Sequence, residues 1–307
     1  MNYRTVAKGL EFPEGPLELP DGDLAVVEVR GGRVSRVGSD GTTTTIATTA
    51  GGPNGAAIGP DGAIYIAQNG GFKWVERRQP DGSMRLLPAD QPEDYIGGQI
   101  QRITPEGEVT TIYRECEGEP LKGPNDLVFD AEGNFYFTDH GKVRSRDRDR
   151  TGVLYASPDG SFIREIIFPM EAPNGIGLSP DGKTLYVAET PTARLWACPI
   201  VAPGEVKGRY VLATVCGAPP LNLAMLDSLC VDAEGNVIVA TLMNGGVTSI
   251  SPDGSRVEHT ALPDALTTNA CFGGPDLGTL YVTLSTTGQL VAFDDWPTKG
   301  LRLQYQA

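Results

Sequence analysis

The chain has 307 residues, and its 39 acidic against 25 basic side chains leave a formal charge of -14, which opposes contact with nucleic-acid phosphates and anionic membrane surfaces. No apolar run approaches the roughly 18 residues of a membrane span, and the opening MNYRTVAKGLEFPEGP lacks the apolar stretch and small-residue cleavage site of a secretion signal. Five cysteines (Cys116, Cys198, Cys216, Cys230 and Cys271) are odd in number and show no CxxC spacing, so they read as reduced, mostly packed thiols in a cytoplasmic protein with neither a nucleic-acid nor a membrane partner.

The 39 Gly and 24 Pro are spread along the chain, which predicts many tight turns, no linker, and one domain over residues 1–307. In chain order, YRTVAK (3–8) is a lone strand. Then PEGPLELPDGDLAVVE (13–28) opens a series continued by PNGAAIGPDGAIYIAQ (53–68), PNDLVFDAEGNFYFTD (124–139), PNGIGLSPDGKTLYVAE (173–189), LDSLCVDAEGNVIVAT (226–241) and TNACFGGPDLGTLYVT (268–283). In each, an acid stands seven positions after the second residue, and Gly follows that acid in the first five; the sixth has Leu277 there. An acid-Gly turn between short β-branched and aromatic runs predicts a hairpin. Each is followed by a second stretch read as a hairpin, the last being QLVAFDDWPTKGLRLQY. Two hairpins per unit and six units predict an all-β, six-bladed β-propeller with four antiparallel strands per blade. Residues 3–8 are expected to close the ring on the last blade, either replacing or flanking LRLQY (301–305).

The first strand of each propeller blade lines the central channel. The six equivalent residues at its start are Glu14, Asn54, Asn125, Asn174, Asp227 and Asn269, predicted to form a ring of side-chain oxygens at one mouth. Asn also serves turns because it tolerates left-handed backbone, but that does not account for Glu14. Two carboxylates converging on one axis without Lys or Arg at equivalent positions predict a bound cation. Oxygen donors with several amides favour a hard divalent ion, calcium first, with manganese, magnesium, zinc or iron as alternatives. Glu28, Gln68, Asp139, Glu189 and Thr241 end the second strands and are expected to stand behind the ring. His140 follows into the mouth as a substrate donor or proton carrier, while Asp126 orients Asn125 or carries a proton. His259 reads as structural, the charge run KVRSRDRDR (142–150) as a solvated loop. The long stretch 69–98, with Phe72, Trp74 and Tyr95, is expected to wall the pocket as a lid or rim.

The EGP at 14–16, PND at 124–126, PNG at 173–175 and the Asp227 segment together resemble the gluconolactonase and regucalcin (senescence marker protein) family of calcium-dependent six-bladed propellers. The resemblance implies a divalent ion held by Glu14, Asn174 and Asp227, with Asn125 as a further ligand or a substrate contact. It also implies hydrolysis of a small-molecule lactone. Sugar lactonases of the family tend to carry Arg two residues before the Asn of the Asn-Asp pair, where this chain has Gly123; an aldonolactone such as gluconolactone is the expected substrate. Asp227 is then the general base that activates water, or a nucleophile. Two competing functions share the fold, a phosphotriesterase-type hydrolase on the same ring and a non-enzymatic binding platform. Oligomeric state has no signature in the sequence.

Overall fold

The computed structural model describes residues 1–78, 82–219 and 222–306. Four-stranded antiparallel sheets follow one another around an axis. Blade one is Pro13–Glu18, Leu24–Glu28, Arg33–Val37 and Thr43–Thr48, and blade two Pro53–Ile58, Ile64–Gln68, Gln99–Ile103 and Val109–Tyr113. Blade three is Pro124–Phe129, Phe135–Asp139, Thr151–Ala156 and Ile163–Met170; blade four is Pro173–Leu178, Thr184–Glu189, Arg194–Ala202 and Tyr210–Thr214, with a short Glu205–Val206 extension. Blade five is Met225–Val231, Val237–Leu242, Gly246–Ile250 and Val257–Ala261. Blade six takes Thr267–Gly273, Thr279–Leu284 and Gln289–Phe293 from the end of the chain and its outer strand, Arg4–Lys8, from the beginning.

Inner strands such as Ile64–Gln68 are buried at every position, whereas the outer Thr43–Thr48 is largely exposed. A strand covered on both faces is apolar throughout, which explains runs such as IYIA and LAVV. The core is accordingly divided into wedges between blades: Leu17, Val27, Val34, Ile64 and Ile66 fill one such wedge, and Leu24, Val26, Leu290 and Ala292 another. The acid-Gly turns form as expected. At the sixth, where Gly is missing, Asp276 and Leu277 themselves take left-handed backbone at φ 56° inside the short Pro275–Leu277 3-10 turn.

The N-terminal strand closes the ring on the last blade as expected, whereas the reading of QLVAFDDWPTKGLRLQY as a hairpin is corrected. Arg4–Lys8 pairs with Gln289–Phe293, Arg4 opposite Ala292 and Lys8 opposite Gln289, so the N-terminal strand replaces LRLQY. Residues 301–305 form no strand. They cross the far end of the channel, with Leu301 N donating to Val231 O at 3.0 Å, the Tyr305 ring edge-on to Phe129 at 5.6 Å, and Gln306 Nε2 donating to Phe272 O at 2.8 Å. Between this plug and the ring lies a largely apolar cavity of about 110 Å³. Ring closure is reinforced where Ser285 Oγ donates to Pro13 O at 2.6 Å and Gly274 N to Glu18 Oε1 at 2.7 Å.

The long stretch after Gln68 holds a hairpin, Trp74–Arg78 with Met84–Pro88; Gln79, Pro80 and Asp81, within the stretch read as a lid or rim, lie outside the described residues. Trp74 packs edge-on against Phe12 at 5.0 Å, and Arg85 Nη1 donates to Thr286 O at 3.2 Å. The insertion thus reaches from blade two past blade one to blade six on the side where the first strands begin. Among the described residues no helix is long and apolar enough to cross a membrane.

Candidate functional site

A shared backbone irregularity sets the ring. In every blade the register between first and second strands slips at the ring residue: between Glu14 and Leu17, Pro53 and Gly55, Pro124 and Leu127, Pro173 and Ile176, Leu226 and Leu229, and Thr267 and Asn269. A bulge re-aims a side chain out of the regular pleat, and here it recurs six times around one axis. Gly residues let the first strands approach. A Cβ on Gly55 would lie 2.5 Å from Asn125 O and 2.6 Å from Asp126 Oδ1, and one on Gly175 would lie 2.6 Å from Leu229 N. The Gly of the PNG triplets therefore serves close contact with the first strand of the next blade.

All six ring side chains are buried. Burial is the main force pushing Glu14 well above the ordinary carboxylate range, aided by the charges of Asp227 and Asp126 and opposed by the Asn269 amide. Asp227 is pushed up to about 8, again chiefly by burial, with Asn174 pulling it down and Asp126 pushing it up. Asp126, one residue past the ring on the channel wall, is raised by burial to about 7; its Oδ1 accepts from Leu127 N at 2.9 Å. Three acids therefore share one buried field.

The amides are not equivalent. Asn125 Oδ1 is buried and without a hydrogen-bond partner. Asn174 Oδ1 accepts only a long bond from Ser228 Oγ at 3.3 Å, while its Nδ2 donates to Thr190 Oγ1 at 3.1 Å. Asn269 Oδ1 is occupied by Ala270 N at 2.7 Å, and Asn54 Oδ1 by Asn69 Nδ2 at 3.1 Å. The expectation of six available oxygens is thus corrected. Local hydrogen bonds occupy the oxygens of Asn54 and Asn269, leaving those of Glu14, Asn125, Asn174 and Asp227.

Among the described residues, no group of three His, Cys, Asp or Glu side chains is placed to hold a metal ion. The ring instead combines two carboxylates with two amide oxygens. This set fits a hard divalent cation: an orphaned buried carbonyl oxygen needs an electrophilic partner, and a cation would favour the ionised forms that burial disfavours. All-oxygen ligation suits calcium better than zinc.

The residues expected behind the ring do something else. Glu28, Gln68, Asp139 and Glu189 sit opposite Pro13, Pro53, Pro124 and Pro173, one residue out of register with the ring. Their side chains turn to the backbone entering the first strand. Glu28 accepts from Glu11 N at 2.6 Å, Asp139 from Lys122 N and Gly123 N at 2.7 Å each, and Glu189 from Glu171 N at 3.2 Å. They clamp the strand entry through these backbone bonds; Thr241 Oγ1 bonds Thr248 at 2.7 Å within its own blade. His140 is half-buried with Nδ1 3.3 Å from Gly141 O, and burial pushes it down to about 4, so its imidazole is neutral at pH 7. His259 bridges Thr248 Oγ1 at 3.0 Å and Gly245 O at 3.1 Å, a structural role.

Sequence reasoning missed two residues. Lys142, read with a solvated charge run, is only 2% exposed; its Nζ donates to Asn69 Oδ1 at 3.1 Å and Gly71 O at 2.7 Å and lies 4.1 Å above the Phe72 ring. Asn69 joins it to the ring. The available signal was the NGG after Gln68, an amide followed by two glycines at the root of the insertion.

A six-bladed propeller with a buried acid and amide ring at one mouth is the class that fold and site define. Residues 12–286 match the SMP-30/Gluconolactonase/LRE-like region, and the chain belongs to that family. It is 30% identical to regucalcin of Xenopus laevis over 231 residues, covering 72% of this chain and 74% of that protein. It is 28% identical to lactonase drp35 of Staphylococcus haemolyticus over 264 residues, covering 83% and 71%. The solved gluconolactonase of Xanthomonas campestris superposes with a TM-score of 0.73 at 24% identity, covering 94% of this chain and 87% of that one.

Proposed function

We propose that this chain is a lactonase, acting as one domain on a small-molecule lactone of the aldonolactone type such as gluconolactone. The observation that carries the reading is the pairing of two buried, charge-uncompensated carboxyls, Glu14 and Asp227, with the orphaned oxygen of Asn125, in a family that includes a gluconolactonase and a lactonase. Glu14, Asn125, Asn174 and Asp227 are the residues that would hold a divalent ion, calcium first. When bound, such an ion supplies Lewis-acid polarisation of the ester carbonyl.

The chain's own groups supply the rest. Asp227 accepts a proton from the attacking water as it adds to the carbonyl carbon, and returns that proton to the ring oxygen when the ester C–O bond breaks. A cation held at the ring would favour the ionised form of Glu14 beside it, and the Asn269 amide works in the same direction. Asp126 contacts the substrate from the channel wall, and neutral His140 offers a ring N–H or acceptor at the mouth. The insertion at 69–98 walls this mouth through Phe72 and Trp74.

A pH-stat assay of gluconolactone opening, with the spontaneous rate subtracted from a chelator-treated control, tests the reading. The calcium-loaded protein opens the lactone well above that control, and Asp227→Asn abolishes the excess. Equal rates for the loaded protein, the control and the variant would sink it.

A further inference from the structure

Asn54 differs from the other ring amides because its orientation is dictated from outside the ring. Gly71 N donates to Asn69 Oδ1 at 2.8 Å, and Lys142 Nζ donates to the same atom at 3.1 Å. A backbone N–H can only donate, so the atom it touches is the Asn69 oxygen, and the Asn69 NH2 must face Asn54. That NH2 meets an acceptor, Asn54 Oδ1, at 3.1 Å. The Asn54 NH2 is consequently turned the other way, and its Nδ2 is buried with no partner. Asn54 itself is 5% exposed, and Asn69 3%. An orphaned buried donor calls for an acceptor.

An amide N–H cannot ligate a cation, so the two orphans of the ring ask for opposite partners. Asn125 presents an oxygen and Asn54 a hydrogen. The sequence of blades around the axis puts Asn54 between Glu14 and Asn125, and blade two lies three blades away from blade five, across the channel from Asp227. A carbonyl bound between them would have its oxygen toward Asn54 and its carbon open to water from the Asp227 side.

We propose that Asn54 is a catalytic hydrogen-bond donor and not a metal ligand: it binds the lactone carbonyl oxygen, with Asn69 and Lys142 as positioning residues that fix which way its amide faces. This rests on the lactonase reading. As water adds to the carbonyl carbon, the π electron pair moves to the oxygen facing Asn54 Nδ2. The pair returns when the ring C–O bond breaks, and the proton taken by Asp227 goes to the departing alkoxide. A donor placed where charge develops stabilises the transition state more than the ground state.

Two variants test the assignment, each followed by calcium calorimetry, gluconolactone kinetics and thermal melting. Asn54→Ala removes the donor. Asn69→Asp leaves an oxygen for Gly71 N and Lys142 Nζ, but its other oxygen now attracts the Asn54 NH2 and turns the amide around, so that the ring loses the donor without losing Asn54. Both variants are expected to lower kcat by about 100-fold or more while KM and the calcium Kd stay within about threefold of wild type. A calcium Kd raised tenfold or more in Asn54→Ala would make Asn54 a ligand and overturn the proposal. Full kcat in either folded variant would overturn it as well. If wild type opens no lactone above the chelated control, the lactonase reading fails and takes the donor role with it; an active wild type with an unimpaired Asn54→Ala removes only the donor role.

Discussion

Replacing Gly175 by Ala probes how the ring is held together. Gly175 follows Asn174 in the first strand of blade four, and an added Cβ would stand 2.6 Å from Leu229 N and 2.7 Å from both the carbonyl carbon and Cα of Ser228. Those atoms are main chain of the strand that carries Asp227, so no rotamer change relieves the contact. Carbon neighbours settle at about 3.5–4.0 Å, so the two strands must part by about 1 Å. Overpacking of this kind costs about 1–3 kcal/mol, and a site walled by backbone belongs near the upper end. At about 2–4 °C per kcal/mol for a chain of this order, the melting temperature should fall by about 6–12 °C. Because the movement separates Asn174 from Asp227, calcium affinity should fall with it. Gly182→Ala is the control: its Cβ meets nothing within 4 Å, and only its φ of 66° is unfavourable. That change should cost about 1–2 kcal/mol and leave calcium affinity alone. Differential scanning calorimetry and calcium titration of both variants decide the matter. A Gly175→Ala protein with wild-type melting and calcium affinity would refute the idea that these glycines set the ring.

Other outcomes follow from the same structure. Ending the chain at Gly300 removes the plug made by Leu301, Tyr305 and Gln306 and should expose the apolar channel, seen as increased binding of a hydrophobic dye with the six blades intact by circular dichroism. Deleting residues 1–8 instead strips blade six of its outer strand, its ladder to Gln289–Phe293 and the Arg4–Asp294 pair at 2.7 Å, and should lower the melting temperature more than loss of the tail. Unchanged dye binding on truncation would show that the tail closes nothing. Burial lowers His140 from 6.5 to about 4, so the unfolded chain binds a proton there at higher pH than the native one. Stability from this group is intact above pH 6.5 and is lost as pH falls toward 4, by up to about 3 kcal/mol. Urea midpoints of wild type and His140→Gln at pH 7 and pH 4.5 should therefore converge at the lower pH relative to their separation at pH 7; a constant separation contradicts the burial argument.

The repeating hairpins were legible because their signals are local: an acid or Asn, then an acid seven residues on, followed by Gly in five of the six, between short β-branched and aromatic runs. What failed was long-range. Leu301–Tyr305 alternates like a strand, yet with Gln306 it meets Val231, Phe129 and Phe272 in three different blades, and residues 4–8 take its place in the ladder, the first of the two expected closures. Glu28, Asp139 and Glu189 were placed at the correct mouth, but a one-residue difference in register turns them to the loop backbone, and register is invisible where six bulges intervene. Lys142 lay hidden in a run of charges because nothing local distinguishes it from Arg144, which pairs with Asp147 and Asp149. The ring itself was legible as six equivalent positions. Which atom each amide presents was not, since that depends on hydrogen bonds from Asn69, Ser228 and Ala270, whose geometry the repeat spacing does not fix.

The most direct test of the account is calorimetric titration of chelator-stripped wild type, Glu14→Gln and Asp227→Asn with calcium. One site is expected in wild type and a Kd raised at least tenfold in each variant, because each removes one of only two carboxylates at an otherwise neutral set of oxygens. Equal binding by all three proteins, or no binding by wild type, would contradict it and return the ring amides to the role of turn residues.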